Sequence, residues 1–236
     1  MLRVLVTRPE PGASRTARLL QEQGFQPVLL PLTETVALPA DPPAKNAVAV
    51  AITSANAVRH APREIVAALA GLPCHAVGKK TAEAARKAGF LSVSEGSGNA
   101  EALAYSLARE FSREAIAYLC GRVRFPAFEQ GLKAAGVEVH AIETYDTLAV
   151  SYSDEAILAH LSGQPADAVL LYSAKAAAAL QALAKRPALA KLFEKTQFFA
   201  LSERIAGALD EAAGKEIRIA AEPDEEALLA LLRDWR

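Results

Sequence analysis

Small polar residues and glycines recur where strand-like apolar runs of this sequence give way to helical ones. They occupy six places: Thr7-Arg8, Thr53-Ser54, Gly78-Lys79-Lys80-Thr81, Gly98-Asn99, Gly121-Arg122 and Ser173. Any one of them is explained as a helix N-cap, which stabilises a helix by about 1 kcal/mol and needs no ligand. Six that face one cleft would instead offer hydroxyls and backbone N–H groups to several anionic groups. The pattern therefore indicates a polycarboxylate or phosphorylated ligand.

Basic residues beside these places supply candidate counter-charges for such a ligand. The four that we select are Arg8, Lys80, Arg122 and Lys175. The whole predicted substrate-binding set is Thr7, Arg8, Thr53, Ser54, Asn56, Gly78, Lys80, Thr81, Gly98, Asn99, Gly121, Arg122, Ser173 and Lys175.

Motifs for other chemistries are missing from the sequence. The four histidines are scattered, at His60, His75, His140 and His160. Because no Cys-x-x-Cys occurs either, we expect no metal site. There is no P-loop, G-x-S-x-G or G-x-G-x-x-G, so a nucleotide enzyme has no support. Cys74 and Cys120 are interpreted as buried thiols in a reducing compartment, with a catalytic thiol as the less favoured alternative.

Charge and hydropathy exclude further classes of protein. The 26 Lys and Arg nearly balance the 27 Asp and Glu, and no long block of like charge appears. A nucleic-acid or membrane-surface role therefore has no compositional support. The N-terminus begins directly with a short strand, without a signal peptide, and no run is long enough to span a membrane. We expect a soluble cytoplasmic protein.

The elements that would position the polar residues are organised around Ala47–Arg59. Its first six residues are apolar and uncharged, which is typical of a strand buried on both faces, and Thr53-Ser54 then begins a helix. The other predicted strands are Leu2–Val6, Gln26–Leu32, His75–Val77, Leu91–Ser94, Ala115–Leu119, Val137–Ile142, Ala168–Leu171, Gln197–Ala200 and Ile217–Ala220. The longer predicted helices are Ala13–Gln23, Lys79–Ala88, Ala100–Phe111, Phe125–Ala135, Asp154–Leu161, Ala174–Leu183, Glu203–Ala213 and Asp224–Trp235. Strands that alternate with helices predict an α/β fold with doubly wound parallel sheets.

A weak internal repeat indicates two domains of this kind. TSANAV resembles YSAKAA, which sets Ser54 against Ser173, and AVGKKTAEAARKAG resembles ALSERIAGALDEAAG. The segment around Gly24 also resembles the one around Gly136. The former precedes the other repeated segments of its half, whereas the latter follows those of its own half, so the two halves are permuted. We predict a discontinuous domain (1–34 and 149–236), an inserted domain (41–143) and two hinge strands (35–40 and 144–148).

These residues resemble the uroporphyrinogen-III synthase family. The segments that carry the resemblance are TRPEPG (Thr7–Gly12), TSANAV (Thr53–Val58), AVGKKTAEAARKAG (Ala76–Gly89), GNAEAL (Gly98–Leu103), Gly121-Arg122 and ETYDT (Glu143–Thr147). Each is short, but their order and spacing cover nearly the whole chain. The resemblance implies two flavodoxin-like domains joined by a two-stranded hinge, and an enzyme that needs no cofactor.

The resemblance also implies a reaction in haem and tetrapyrrole biosynthesis. The substrate would be hydroxymethylbilane, cyclised to uroporphyrinogen III with inversion of ring D through a spiro intermediate. The tyrosine of the family's tyrosine-x-threonine segment, here Tyr145, is the candidate catalytic proton donor; otherwise it is an amphipathic residue of the hinge. A monomer that receives its substrate from the preceding pathway enzyme is expected.

Two alternatives come from other classes. The first is a hinge-closing two-domain binding protein for a small anionic ligand, without catalysis. The second is a nucleotide-sugar or other transferase with paired Rossmann-like domains, which would normally carry a glycine-rich phosphate loop.

Overall fold

Two compact units divide the chain in the computed structural model, which describes residues 1–124, 126–209 and 217–235. The discontinuous unit consists of Met1–Glu34 and Leu148–Arg236. The inserted unit is Thr35–Thr147. Each unit is built on its own sheet.

The strands are short and are joined mostly through helices. They are β1 (Arg3–Val6), β2 (Gln26–Leu29), β3 (Thr33–Ala37), β4 (Ala47–Ile52), β5 (Cys74–Ala76), β6 (Val93–Glu95), β7 (Ala115–Gly121), β8 (Glu138–Ala149), β9 (Ala168–Leu171), β10 (Gln197–Ala200) and β11 (Ile217–Ile219). The helices are α1 (Gly12–Glu22), α2 (Ala55–Arg59), α3 (Arg63–Leu69), α4 (Lys79–Ala88), α5 (Ala100–Glu110), α6 (Pro126–Ala134), α7 (Asp154–Leu161), α8 (Ala174–Ala184), α9 (Ala190–Phe193), α10 (Glu203–Ala206) and α11 (Glu225–Trp235).

The discontinuous unit contains a five-stranded sheet in the order β11-β10-β9-β1-β2, and its pairs run parallel. Successive side chains of a strand face opposite sides of the sheet. Leu5 therefore packs into one apolar cluster, while Val4 and Val6 pack into another. Trp235 belongs to the second cluster, where its ring meets Phe199 edge-on at 5.5 Å, so it holds the last helix against the sheet.

The inserted unit contains a six-stranded sheet in the order β3-β8-β7-β4-β5-β6. From β8 to β6 the neighbouring strands run parallel. Val50 and Ile52 pack on one side, and Ala49 and Ala51 pack on the other, all without exposed surface. The apolar run at Ala47–Ile52 is thus a strand covered by helices on both faces, as predicted. The segment β3 pairs with β8 at the edge of this sheet.

The permuted repeat has a counterpart in the two strand orders. The strand order β11-β10-β9-β1-β2 of one unit corresponds, strand for strand, to the order β6-β5-β4-β7-β8 of the other. This matching pairs β9 with β4, and therefore Ser173 with Ser54, as the sequence repeat had paired them. It also pairs the N-terminal β1 with β7. The α/β fold class with doubly wound parallel sheets is therefore confirmed, and the order of the first unit, 2-1-3-4-5 in its own numbering, is the flavodoxin-like one.

Several predicted bounds differ from those of the structure. The strand predicted to reach Leu32 ends at Leu29, where its partner β1 has also ended. A strand was predicted from Leu91, but Leu91 is 84% exposed and β6 begins at Val93. The one-turn helix α9 was not predicted, because four residues are too few to show a helical period.

Two predicted helices touch residues outside the described ranges. The helix predicted over Glu203–Ala213 is α10, which ends at Ala206; positions 210–213 lie outside the described residues. The helix predicted from Phe125 begins at Pro126 as α6, and position 125 is likewise outside them.

We expect the inserted unit to fold as a separate fragment of residues 35–147. The reason is that both faces of its sheet are covered by apolar clusters made of its own residues. Circular dichroism should show helix and strand and a cooperative melt. The matched control is the same fragment with Ile116→Asp, which places an unpaired charge at a position with no exposed surface and should abolish the melt. A fragment without a cooperative melt, at boundaries varied by a few residues, contradicts the insertion model.

Candidate functional site

The carboxyl edge of the six-stranded sheet gathers most of the predicted site residues of the inserted unit. Because β4, β5, β6 and β7 run parallel, their carboxyl ends lie at one edge. The segments that leave this edge carry the predicted residues Thr53, Ser54, Asn56, Gly78, Lys80, Thr81, Gly98, Asn99, Gly121 and Arg122. Such an edge is where open α/β sheets bind their ligands.

Tyr145 is brought to this edge by an irregularity in β8. Cys120 on β7 pairs with Glu143, but the next residue, Gly121, pairs with Tyr145, so Thr144 is the extra residue of a β-bulge. The Thr144 side chain is buried, and its hydroxyl donates to the carbonyl of Ala57 at 2.6 Å. Because a bulge re-aims the side chains that follow it, this anchored residue determines where the Tyr145 ring lies.

The Tyr145 phenol binds Ser54. Its hydroxyl donates to Ser54 Oγ at 3.2 Å, and the same oxygen accepts the backbone N–H of Asn56 at 3.2 Å, which caps α2. The ring of His60 lies 6.1 Å from that of Tyr145, centroid to centroid. Burial, and secondarily the charge of Arg59, lowers the pKa of His60 below its ordinary value, which favours the neutral form of this imidazole.

Arg124, which the sequence analysis did not select, fixes the loop after β7. Its Nη1 group donates to the carbonyls of Gly121 and Arg122 at 3.1 and 3.2 Å and to Glu143 Oε1 at 2.8 Å. Its Nε group donates to Glu129 Oε1 at 2.5 Å. The hydrogen bond from Arg124 is the main reason that the pKa of Glu143 lies below its usual range. A partly buried arginine that bonds two successive carbonyls and two carboxylates holds this loop in one shape.

Arg122 lies on the same loop but is half-exposed. Its Nε group is 3.3 Å from Glu143 Oε2, and its Nη1 group is 3.6 Å from Asp146 Oδ2. The neighbouring carboxylates orient this guanidinium and leave about half of its side chain open to solvent. Arg122 can therefore contact an anion, while Arg124 is occupied by protein groups.

The start of α4 is shaped by two glycines. A Cβ on Gly78 would lie 3.1 Å from the Cα of Gly98, so no larger residue fits there without a shift of backbone. Gly98 itself has φ +94°, a conformation that favours glycine, and its N–H donates to the Val77 carbonyl. No side chain caps α4 at Gly78. The first N–H groups of this helix, including that of Lys80, have no partner within the helix and are suited to bind an anion.

The remaining polar residues at this edge bind the protein itself. Asn99 Oδ1 accepts the N–H groups of Glu101 and Ala102 and so caps α5. Thr53 Oγ1 lies 2.7 Å from the hydroxyl of Tyr118, a buried residue that was not predicted. Burial raises the pKa of Tyr118 to about 12, which keeps this hydroxyl protonated. These residues shape the edge, and Asn99 performs the structural role of an N-cap.

In the discontinuous unit, Thr7 and Arg8 follow β1 at the carboxyl edge of the five-stranded sheet. Thr7 has no exposed surface, and its hydroxyl donates to the Leu170 carbonyl at 2.7 Å. The Arg8 guanidinium lies 4.3 Å from the ring centroid of Tyr172 and forms an ion pair of 2.8 Å with Glu225. This carboxylate partner leaves Arg8 less available as a counter-charge than the sequence alone implied.

Glu225 is an acidic residue of this edge that was not selected from the sequence. It also pairs with Arg15 at 2.7 Å and accepts the Thr16 hydroxyl at 2.5 Å. Burial opposes its charge, but the Thr16 hydrogen bond and the two arginines outweigh burial and lower the pKa of Glu225. Nothing in the local sequence could have identified it, since it lies 217 positions from Arg8.

The last two predicted residues stand at the start of α8. Ser173 Oγ accepts the N–H of Ala176 at 3.1 Å and caps this helix, as Ser54 caps α2. Lys175 is exposed in the first turn. Ser173 is thus a helix N-cap, the structural role by which any single one of these polar residues can be explained.

Two further observations concern the described residues only. Within these ranges no three or more His, Cys, Asp or Glu side chains come together as a group that could hold a metal ion. None of the helices placed there has both the length and the apolar character that crossing a bilayer requires.

The chain is similar to known proteins over nearly its whole length. The family model described as uroporphyrinogen-III synthase HemD matches residues 14–230. The crystal structure of a uroporphyrinogen-III synthetase from Helicobacter pylori superimposes with a TM-score of 0.67 at 16% identity, covering 100% of both chains. The crystal structure of a mutant uroporphyrinogen III synthase from Thermus thermophilus superimposes with a TM-score of 0.53 at 19% identity, covering 100% of this chain and 97% of the other. No curated protein sequence matches.

At these identities the two crystal structures show a shared fold and no more. The family model spans all but the ends of the 236 residues, including the bulge, the Tyr145 segment and the carboxyl edge of the six-stranded sheet. The chain therefore belongs to the uroporphyrinogen-III synthase family.

Proposed function

We propose that this chain is a cyclising hydro-lyase that converts hydroxymethylbilane into uroporphyrinogen III. The observation that carries the proposal is the Tyr145 hydroxyl, which lies at the carboxyl edge of a parallel sheet, 3.2 Å from Ser54 Oγ, in a chain of this family. A binding protein without catalysis, the alternative from the sequence, is less well supported because the family is one of enzymes. No cofactor is needed for the reaction, and a cytoplasmic monomer with direct substrate handover remains part of the proposal.

The chemistry begins with loss of the substrate's terminal hydroxyl. The carbon–oxygen bond breaks, the oxygen leaves as water with one added proton, and an azafulvene cation remains. The last pyrrole then attacks through its substituted carbon and forms a spiro intermediate, whose fragmentation and recombination invert ring D. A carbon-bound proton is finally lost, so that the proton borrowed from the enzyme is returned and the net product besides the ring is water.

Tyr145 is the proposed proton donor for the departing hydroxyl. Ser54 Oγ is an acceptor in both of its hydrogen bonds, to Tyr145 and to the Asn56 N–H. Its own hydroxyl hydrogen can therefore turn toward the phenol oxygen once Tyr145 has given up its proton. This reversal would stabilise the phenolate at the moment when its charge develops.

Positioning of the substrate's carboxylates is the second proposed task of the enzyme. The uncapped start of α4, the exposed Lys80 and the half-exposed Arg122 are the groups of the inserted unit best suited to bind them. Thr53, Asn56 and, in the discontinuous unit, Ser173 and Lys175 stay in the proposed binding set. Thr7 and Thr81 are buried, and Arg8 and Asn99 are held by other groups of the protein, so these four are less suited to contact the substrate. Because unaided closure gives the uninverted isomer, conformational control of the bilane matters more than acid strength.

The first expected result is isomer control by the purified protein. Hydroxymethylbilane generated enzymatically in the same vessel should yield mainly type III uroporphyrin after oxidation, whereas a vessel without the protein should yield type I. Chromatographic separation of the two isomers measures the ratio. A type I product in both vessels, with tight binding of the bilane, would support the binding-protein alternative.

Replacing Tyr145 with Phe should lower kcat by on the order of 10²-fold, the usual contribution of a positioned acid. The free energy of unfolding should fall by only about 1 kcal/mol, for the lost hydrogen bond to Ser54. The residual product should remain mainly type III, because the binding groups are unchanged. The matched control is Tyr105→Phe, whose side chain is 67% exposed on α5 and should keep full activity. An unchanged kcat in Tyr145→Phe would return this residue to a structural role.

Replacing Lys80 with Ala should raise KM about two- to fivefold at low salt, the effect of an exposed charge worth less than about 1 kcal/mol. The difference from the wild type should shrink as ionic strength rises, because exposed charges are screened. Lys87→Ala, an exposed lysine in the last turn of the same helix, is the control and should leave KM unchanged. Equal KM values for all three proteins at every salt concentration would contradict carboxylate capture at the start of α4.

A further inference from the structure

We propose that Gly121 is a positioning residue that makes room for the Tyr145 phenol and so keeps its hydroxyl on Ser54. This inference rests on the proposed role of Tyr145 as a proton donor. The sequence analysis had placed Gly121 in the substrate-binding set; the contacts around it indicate a different task.

The space beside Gly121 is filled by the Tyr145 ring. A Cβ at Gly121 would lie 2.6 Å from the Cζ atom of Tyr145 and 2.9 Å from its Cε1 and hydroxyl oxygen. Non-bonded carbons are at their optimal separation at about 3.5–4.0 Å, so a methyl group there overlaps the ring. Gly121 is not among the glycines with positive φ, so its backbone conformation does not require glycine. The residue is small because of its neighbour.

The backbone on both sides of this contact is held firmly. Gly121 and Tyr145 are partners in the β7–β8 ladder, and the Arg122 N–H donates to the Tyr145 carbonyl at 2.8 Å. Arg124 Nη1 donates to the Gly121 carbonyl at 3.1 Å, and Thr144 anchors the bulge to Ala57. A methyl group on Gly121 would therefore displace the end of the Tyr145 side chain before it displaced a strand.

Displacement of the ring moves the hydroxyl. Relief of the overlap needs a shift of about 1 Å, and misplacement of a catalytic group by that distance can lower a rate on the order of 10²-fold. The hydroxyl would also leave its 3.2 Å bond to the Oγ atom of Ser54, because Ser54 caps α2 and does not follow the ring. Gly121 thus acts on the reaction through Tyr145, without a contact of its own to the reacting atoms.

The test compares kcat, KM and melting temperature for Gly121→Ala with those of the wild type. We expect kcat to fall at least tenfold, with KM changed less than threefold. Gly71→Ala is the matched control, since a Cβ at Gly71 meets nothing within 4 Å and its φ is not positive. In the Tyr145→Phe background, Gly121→Ala should lower kcat no further, because the hydroxyl that it displaces is already absent. An unchanged kcat in the single variant, or an equal fall in both backgrounds, would overturn the proposal.

A spectroscopic measurement tests the same displacement without activity. The chain has five tyrosines, and in protein labelled with 3-fluorotyrosine the signal of Tyr145 is the one that Tyr145→Phe removes. Gly121→Ala should shift this signal and leave the other four in place, and Gly71→Ala should shift none. A Tyr145 signal that stays in place overturns the proposal whether or not the wild type makes type III product. Failure of the wild type in the isomer assay would instead count against the proposed function.

Should Gly121→Ala fail to fold, the ring can be removed as well. The three atoms nearest to such a Cβ all belong to Tyr145, so we expect the double variant Gly121→Ala/Tyr145→Ala to melt within a few degrees of Tyr145→Ala. A double variant that remains unfolded, while Tyr145→Ala folds, would show that the strand itself requires glycine and would overturn the proposal.

Discussion

The parallel pairing of β4 with β7 is the constraint on which the candidate site depends. Ile52 lies beside Leu119 in this ladder, so the two strands end side by side, with Thr53-Ser54 after one and Gly121 at the end of the other. Chain order reverses at this pair, because β5 and β6 lie to one side and β8 to the other. A reversal of this kind marks the usual ligand site of open α/β sheets. The bulge in β8 then carries Tyr145 to the same place.

The equivalent edge of the discontinuous unit, at the ends of β1 and β9, is organised differently. Thr7 is closed off by its bond to Leu170, and Arg8 lies between the Tyr172 ring and Glu225. Burial raises the pKa of Tyr172 to about 12, so its hydroxyl carries no charge beside Glu225. The same order of strands thus carries two different sets of residues at its carboxyl edge. In the inserted unit a phenol stands beside a hydroxyl, and in the other unit an arginine is neutralised by a carboxylate.

Sequence periodicity was sufficient to predict most of the fold, because glycines and small polar residues mark the ends of many helices and strands. The elements Lys79–Ala88, Asp154–Leu161 and Gln197–Ala200 lie where they were predicted, and each begins directly after such a residue. The site was harder to predict, since its contacts join distant positions. The bulge that aims Tyr145 at Gly121 depends on pairing between β7 and β8, and the Arg8–Glu225 pair joins opposite ends of the chain. Local patterns carry no information on such contacts.

The position of β9 at the centre of the five-stranded sheet has a consequence for synthesis of the chain. The ribosome releases β1, α1 and β2 first, but their neighbour β9 follows only after the whole inserted unit, which is complete at Thr147. Until then one edge of β1 has no partner, and Val4, Leu5 and Val6, which have no exposed surface in the finished unit, lack their cover. We therefore expect the inserted unit to fold first, and the N-terminal strand pair to be open to aggregation or chaperone binding on the nascent chain.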